Sequence, residues 1–292
     1  MTRTDVDVPA DVRQPVMAGG RVHVTVSAGA GPLSRGLVEA WRFRGLARRF
    51  ASRDITLRYR QTSLGVGWVV LQPLLAAGAF TLVFGKIAKL PSDGVPYLPF
   101  ALSGLVFWTM FSASISKVSA SLIANQGLVS KVYFPRLVLP LSTLGTVLLD
   151  GMVGAGLLAV VMVVGQVPTT LSVLLIPLFV LGVLALGLGV GLVGAAFSAR
   201  YRDIVYVLTA LLQAMLYISP VGYGLSAVPK SLRLFYALNP LSGYLEGARW
   251  LILGTAAPSV AALCYSVTAS VLCLWVGALF YHRKQVEFAD VL

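Results

Sequence analysis

The sequence predicts an all-α polytopic membrane protein. It has six transmembrane helices, an N-terminal amphipathic helix lying in the membrane interface, and a re-entrant segment before the last span. Three observations predict this. The 292-residue chain is 57% hydrophobic and only 12% charged, against ~25% charge for a soluble domain. Apolar runs long enough to cross a bilayer recur along it. Its basic residues gather in the leader and in alternate connections, the pattern that orients membrane proteins.

The formal charge of +12 and a pI near 10 raise the question of nucleic acid. Much of the surplus sits in one place: residues 1–67 hold eleven Arg and five acids. A basic leader beside a first span sets orientation and attracts anionic lipid headgroups. Membrane lipids, not nucleic acid, are therefore the expected partner. The two cysteines, Cys264 and Cys273, share one apolar run. Nine helical residues separate them by roughly 13 Å along the axis, beyond disulfide reach.

Residues 1–32 are polar, contain Pro and Gly, and show no helical period. They read as a flexible cytoplasmic tail. This stretch has no apolar region of the signal-peptide kind, so the first span is expected to act as its own insertion signal. Residues 33–66 form the amphipathic region. Ala40, Phe43, Leu46, Ala47 and Phe50 recur at three- and four-residue spacing, while Arg42, Arg49, Arg53 and Arg60 can share another face. That is the pattern of a helix lying in the interface.

Residues 67–282 are expected to form the six-helix domain. The spans are 67–85, 98–116, 137–164, 171–197, 204–225 and 259–281. Pro73 in the first is tolerable where a neighbouring helix satisfies the freed carbonyl. Pro91, Pro96 and Pro99 turn the chain outside after it. Pro220 interrupts the fifth. The stretch 238–254 is moderately apolar but carries Asn239, Pro240, Glu246 and Arg249, so it reads as re-entrant or interfacial. Residues 283–292 are a cytoplasmic C-terminal tail. Of the 23 Lys and Arg, 18 fall on the side of both termini under this topology and 5 on the other. Both termini are therefore expected in the cytoplasm.

Small residues mark helix contacts. Gly182, Gly187, Gly189, Gly191 and Gly194 crowd the fourth span, and Gly151, Gly154 and Ala155 the third. Such residues let backbones approach closely in lipid, within one chain or between two; contact within one chain is the expectation.

Catalytic signatures are missing. The chain has no HExxH, no GxSxG and no phosphate-binding Gly-Lys loop. His23 and His282 have no ligand neighbours, and no metal site is expected. An active pump built on this chain would draw its energy from a partner.

Several short runs point to that partner. The span 1 junction reads RDITLRYRQTSLGVGWVVLQPL, with Arg53, Asp54, Ile55, Arg58, Tyr59, Leu64, Gly65, Trp68, Pro73 and Leu74 as its marked positions. The loop 117–131 holds a candidate short helix, 118–128, followed by SKVYFPRLVLP. YRDI occupies 201–204, SPVGY 219–223 and LNPL 238–241. In this order, against these spans, the runs resemble the permease subunits of ABC type-2 exporters of the polysaccharide, O-antigen and teichoic-acid export family. The resemblance covers about residues 50–282.

It implies a second copy of the chain and two cytoplasmic ATP-binding-cassette ATPase subunits as partners. ATP and Mg would be bound by the ATPases, with no cofactor in this chain. It implies a lipid-linked polysaccharide substrate and a place in the bacterial inner membrane. It also implies that Asn125, Leu128, Lys131, Tyr133, Phe134, Pro135, Arg202 and Asp203 couple to the ATPase. The physical need is a rigid lever between a soluble motor and membrane helices. A short helix followed by a Pro kink is such a lever.

Three further groups stand out by their chemistry. Arg49, Arg53, Arg58 and Arg60 could receive an anionic lipid headgroup at an entrance, since Arg holds phosphate in a bidentate fork; the same charges also set orientation. Phe100, Phe107, Trp108 and Phe111 share one face of span 2 and could line a channel on which sugar rings stack, or pack the core. Asp150, inside span 3 where charge is costly, could line the route or bond a neighbouring helix. Two other functions stay open: a small-molecule or drug exporter permease of the same superfamily, and a channel or proton-coupled carrier needing no ATPase. Co-purification with an ATPase, and vanadate sensitivity, separate the last from the rest.

Overall fold

A computed structural model describes residues 17–18, 21–22, 33–60, 67–129, 134–168 and 171–285. Apart from Met17–Ala18 (β1) and Arg21–Val22 (β2), which pair antiparallel, the described chain is helical. The tail expected over 1–32 otherwise lies outside the described residues.

The leader forms two helices, not one. α1 is Leu33–Arg42 and α2 is Arg44–Arg60, broken at Phe43. The expected apolar face exists, but α2 turns it onto protein. Leu46, Ala47 and Phe50 pack on a buried cluster that includes Phe134 and Leu139. Ala51 meets Gly145 so closely that a Cβ at Gly145 would press on it.

Five helical stretches are long and apolar enough to cross a membrane. The first is α3, Gly67–Phe80, continued by a π-helical segment Thr81–Ile87. α4 is Tyr97–Ala124, and a one-turn helix α5, Gln126–Val129, follows it. α6 is Val138–Val164. A 3-10 turn, Leu171–Leu175, leads into α7, Ile176–Ser198. The last is α11, Val260–Lys284, N-capped by Ser259, whose hydroxyl accepts from the Ala262 amide at 3.2 Å.

The expected fifth span is where sequence and structure part. α8 runs only over Ile204–Ile218, 15 residues, about 22 Å of helix against the ~30 Å hydrocarbon core. Ser219 turns to extended backbone, as a residue before proline prefers, so the helix stops seven residues short of 225. By length and apolarity five stretches among the described residues qualify as crossings, and α8 is a shorter apolar helix.

The segment that follows is helical but broken: a 3-10 turn Leu225–Ala227, then α9, Arg233–Ala237, and α10, Pro240–Leu253. The Asn239 side chain caps α10, accepting from the Leu241 amide at 3.0 Å, and Pro240 takes the first helical position. Gly254, at φ 69°, ends it in the left-handed conformation that glycine adopts without strain. α10 is buried against α4, α7 and α11.

α4 is the axis of the fold. It packs on α7, α6, α10, α3 and α8. The glycines of α7 explain how: Gly187 faces Ser114 and Gly191 faces Val118 on α4, while Gly189 meets the backbone of Cys273 on α11. Gly151 and Gly154 of α6 receive Met110 and Val106 of α4. The small residues therefore serve contacts within one chain. Cys264 and Cys273 are free thiols.

Candidate functional site

The connections divide the molecule into two ends. One carries α1, α2, residues 125–129 and 134–137, the connection 199–203, and the end of α11. The other carries the loop 88–96, residues 165–168, the broken segment 219–239 and residues 254–259.

At the first end the expected coupling residues gather around the C-terminus of α4. The helix expected over 118–128 is not a separate unit. Its first part, to Ala124, continues α4, which therefore runs well past Ser116; Asn125 makes a turn and α5 follows. The physical reason is packing: Val118 and Leu122 are buried apolar residues on the helix face that meets α7. Asn125 holds this turn from both sides of its amide. Its Nδ2 donates to the Ser121 carbonyl at 2.9 Å, and its Oδ1 accepts from Arg53 Nη2 at 2.9 Å.

Arg53 also grips Asp54 at 2.8 Å and lies over the Phe50 ring. Phe50 in turn packs on Phe134, with ring centroids 5.9 Å apart. One continuous contact thus runs from the turn after α4 through α2 to Phe134. Leu128 packs half-buried on the same cluster. Pro135 closes the loop, its carbonyl accepting from the Val138 amide at 3.0 Å. Lys131 and Tyr133 lie outside the described residues.

Arg202 reaches the same place from the α7–α8 connection, donating to Gln126 Oε1 at 3.4 Å. Asp203 is exposed just before α8. On the other flank, Arg136 Nη1 donates to the Gln285 carbonyl, and the Tyr281 hydroxyl donates to the Arg136 carbonyl at 3.1 Å. The end of α11 is thereby tied to the start of α6. Neither Gln126 nor the Arg136–Tyr281 link is marked in the sequence, except that Gln126 is polar and sits beside Asn125.

Of the expected headgroup arginines, Arg49 is exposed on α2. Arg53 is engaged as described. Arg58 and Arg60 lie in the last turn of α2, and their side chains are outside the described residues.

The four aromatic residues of α4, which could line a channel or pack the core, are enclosed by protein. Phe100, Phe107, Trp108 and Phe111 are all buried inside the protomer's main apolar cluster. They pack against other helices of the same chain, where large rings make close van der Waals contact. Core packing, the other reading of the stripe, is what their burial supports.

Asp150 has a partner that the sequence reading missed. Lys117 of α4 places its Nζ 3.2 Å from Asp150 Oδ2 and 2.9 Å from Thr146 Oγ1, both on α6. An acid in one span is a reason to look for a base in the neighbouring span. Lys117 reads from sequence as the first residue of a loop, which hides its level with Asp150.

At the opposite end a second polar centre is built around Arg249 of α10, only 2% exposed. Its guanidinium lies 3.9 Å over the Phe100 ring centroid and donates to the carbonyls of Val221 and Tyr223. The Tyr97 hydroxyl donates to the Gly222 carbonyl, and Ser226 Oγ donates to Asp93 Oδ1 at 2.7 Å. The turn after α8 is therefore clasped by α10, by the start of α4 and by the loop before α4. Among the described residues no group of His, Cys, Asp and Glu is placed to hold a metal ion.

Comparison with known proteins adds an independent line. The family model described as "ABC-2 type transporter" matches residues 47–253. The chain is 30% identical over 256 residues to an O-antigen export system permease protein, RfbA, of Myxococcus xanthus, a match covering 86% of this chain and 97% of that protein. It is 27% identical over 246 residues to an RfbA permease of Klebsiella pneumoniae, with coverage of 82% and 92%. The polysialic acid transport protein KpsM of Escherichia coli is 24% identical over 238 residues, with coverage of 80% and 91%.

Proposed function

The chain belongs to the ABC-2 type transporter family, and on that premise we propose that it is the permease subunit of an ATP-driven exporter of a lipid-linked polysaccharide. The observation that carries this reading is the match along almost the whole length of relatives named for O-antigen export and polysialic acid transport. Two copies pair in the bacterial inner membrane, and two separate ATPase subunits bind ATP and Mg beneath them. Both termini are cytoplasmic, in keeping with the bias of Lys and Arg toward their side. α8 makes the sixth crossing together with the residues after it, and α9 and α10 form the re-entrant pair before the last span.

The geometry fits a lever. α4 is a 28-residue rod, about 42 Å long. One end carries Asn125 and α5, tied to α2 through Arg53 and to the α7–α8 connection through Arg202. The other end meets the Arg249 clasp through Phe100. Closure of an ATPase pair against α5, residues 134–137 and the connection 199–203 pushes on the rod, and close-packed interiors transmit such displacements. The ion pair of Asp150 with Lys117 weighs against a proton-coupled carrier, which needs an acid free to exchange its proton.

The test is co-expression with an ATP-binding-cassette ATPase. The reading requires the two to purify together and to export a lipid-linked glycan from reconstituted vesicles with vanadate sensitivity. Transport by this chain alone, indifferent to vanadate, would sink it.

A further inference from the structure

α7, α8 and α11 border an open trough in the half of the molecule nearer the connection 199–203. It holds about 460 Å³, within the roughly 300–1,000 Å³ of ordinary ligand clefts. Gly189, Val193 and Phe197 of α7, Val207 of α8, and Leu272 and Cys273 of α11 are among the residues that line it. No lining side chain carries an oxygen or a nitrogen.

Helix packing explains the space. Gly277 of α11 meets the backbone of Gly189, and Gly189 meets that of Cys273, so α11 is drawn onto α7. α8 packs instead on α4 and α7. The trough is what remains between α8 and α11 over the surface of α7. Val207, Leu272 and Val276 stay exposed along it. α8 also sorts its side chains. Ile204, Val207 and Leu208 share the side turned to the trough, while the exposed Tyr206, Thr209 and Gln213 stand on the opposite side. Water and sugar find no partner in such a lining. Within a bilayer hydrocarbon fills it, because a void forfeits the contacts that close packing gives.

The end of the trough sets it apart from an ordinary lipid-facing surface. There the ring of Phe197 packs on that of Phe280, one helical turn beyond Val276, with centroids 5.1 Å apart. Arg200 follows Phe197 by three residues, and Arg283 follows Phe280 by three. Both arginines are exposed, and Arg200 lies 5.6 Å over the Tyr201 ring. Arg202 is exposed beside them, and Asp203 is the one acid of the connection 199–203. The mouth is therefore cationic.

We propose that the trough seats an acyl chain of an anionic phospholipid whose headgroup lies against Arg200 and Arg283. The two parts of the site match the two parts of the ligand. The slot takes hydrocarbon, and the guanidinium groups one turn beyond it take the phosphate in forked hydrogen bonds. A zwitterionic lipid would fill the slot equally but bring a cation of its own to the arginines. The seated chain supports α8, which begins at the connection carrying Arg202 and Asp203.

The test is photolabelling of the full chain in phosphatidylcholine vesicles. The probe is a trace of phosphatidylglycerol with a diazirine on one acyl chain, and labelled residues are mapped by mass spectrometry. Label is expected to concentrate on Val193 and Val207 over Val160 and Val163, which α6 exposes elsewhere. Excess unlabelled phosphatidylglycerol should remove it, and excess phosphatidylcholine should not. Arg200→Gln and Arg283→Gln should each lower it about fivefold, the worth of one basic residue at an anionic lipid surface. Equal labelling of α6, equal displacement by phosphatidylcholine, or unchanged labelling in both variants overturns the proposal. Displacement by a polyprenyl phosphate where phosphatidylglycerol fails would make the trough a seat for a lipid carrier. Disulfide cross-links between two copies through Val207→Cys would make it a protein interface. Each of those results overturns the proposal too. None of the readouts uses ATP or glycan, so the lipid site is judged separately from the exporter reading.

Discussion

Arg53 Nη2 donates to Asn125 Oδ1 at 2.9 Å across 72 residues of sequence. The contact joins α2, which precedes the first span, to the turn at the end of α4. A group read from sequence as part of a headgroup entrance and a group read as part of a coupling segment are thus neighbours. Movement of the coupling turn cannot leave the leader helix in place without breaking this bond.

Asn125→Ala should weaken coupling more than stability. The bond is partly exposed, with the Arg53 side chain 44% accessible, so its net contribution is about 1 kcal/mol or less. Thermal unfolding in detergent should change little, while ATP-driven export falls. A double-mutant cycle with Arg53→Gln checks the contact itself. Strictly additive effects on export would mean that the two residues do not act together.

Arg249→Met should destabilise the fold. It removes the donor from two carbonyls, Val221 and Tyr223, at a buried position. Each unsatisfied buried carbonyl costs about 1–3 kcal/mol. Arg249→Lys should recover part of the loss, since an ammonium cannot reproduce the planar fork over Phe100. The comparison is of unfolding midpoints. A methionine variant as stable as the parent would show that the clasp contributes nothing.

Most of the fold was legible because apolar length and turn residues are local signals. α6, α7 and α11 begin and end within a few residues of where hydropathy, Pro and Gly put them. The errors have a common cause, which is that burial is not local. Residues after Ser116 look like a loop because Lys117 and several serines follow, yet Ser119 donates to the Gly191 carbonyl at 3.2 Å and Ser121 to the Val118 carbonyl at 2.7 Å. Their polarity is absorbed by helix contacts, and α4 continues. The aromatic stripe shows the converse. Periodicity says that four rings share a face, but not whether that face meets a neighbour or a route. Lys117 and Asp150 could have been paired from sequence only by knowing that α4 extends far enough to bring them level.

Gly277→Ala should be far more damaging than Gly156→Ala. A Cβ at Gly277 would land on the backbone carbonyl of Gly189, and backbone cannot swing aside. Nothing lies within 4 Å of a Cβ at Gly156, and alanine favours helix over glycine by about 1 kcal/mol. Gly277→Ala should therefore lower the unfolding midpoint and the yield of inserted protein, while Gly156→Ala matches or exceeds the parent. Equal behaviour of the two would mean that α7 and α11 do not approach at Gly189.

The topology makes a sided prediction. In a Cys264→Ser, Cys273→Ser background, Ala88→Cys lies in the exposed loop after the first span. It should react with an impermeant thiol reagent added outside intact spheroplasts. A cysteine replacing exposed Arg283 should react only after lysis. The reverse pattern would invert the orientation.

Arg49 and Arg53 separate two roles that sequence alone assigned to one group. A polymer on a lipid carrier presents an apolar tail, an anionic headgroup and a hydrated chain. Keeping the tail in lipid avoids exposing it to water at ~0.8 kcal/mol per CH₂, so the headgroup meets the protein at the interface. Arg53 is committed to Asp54, Asn125 and the Phe50 face, whereas Arg49 is exposed one helical turn away. Lysine keeps the charge at either position, and hence the orientation signal, but loses the fork that holds a phosphate. Arg49→Lys should lower the stimulation of ATPase activity by lipid-linked substrate and leave basal activity and insertion unchanged. Arg53→Lys should lower coupling whether or not substrate is present, because what it loses is a link within the protein. If Arg49→Lys leaves substrate stimulation intact, the headgroup is received elsewhere and Arg49 serves orientation alone.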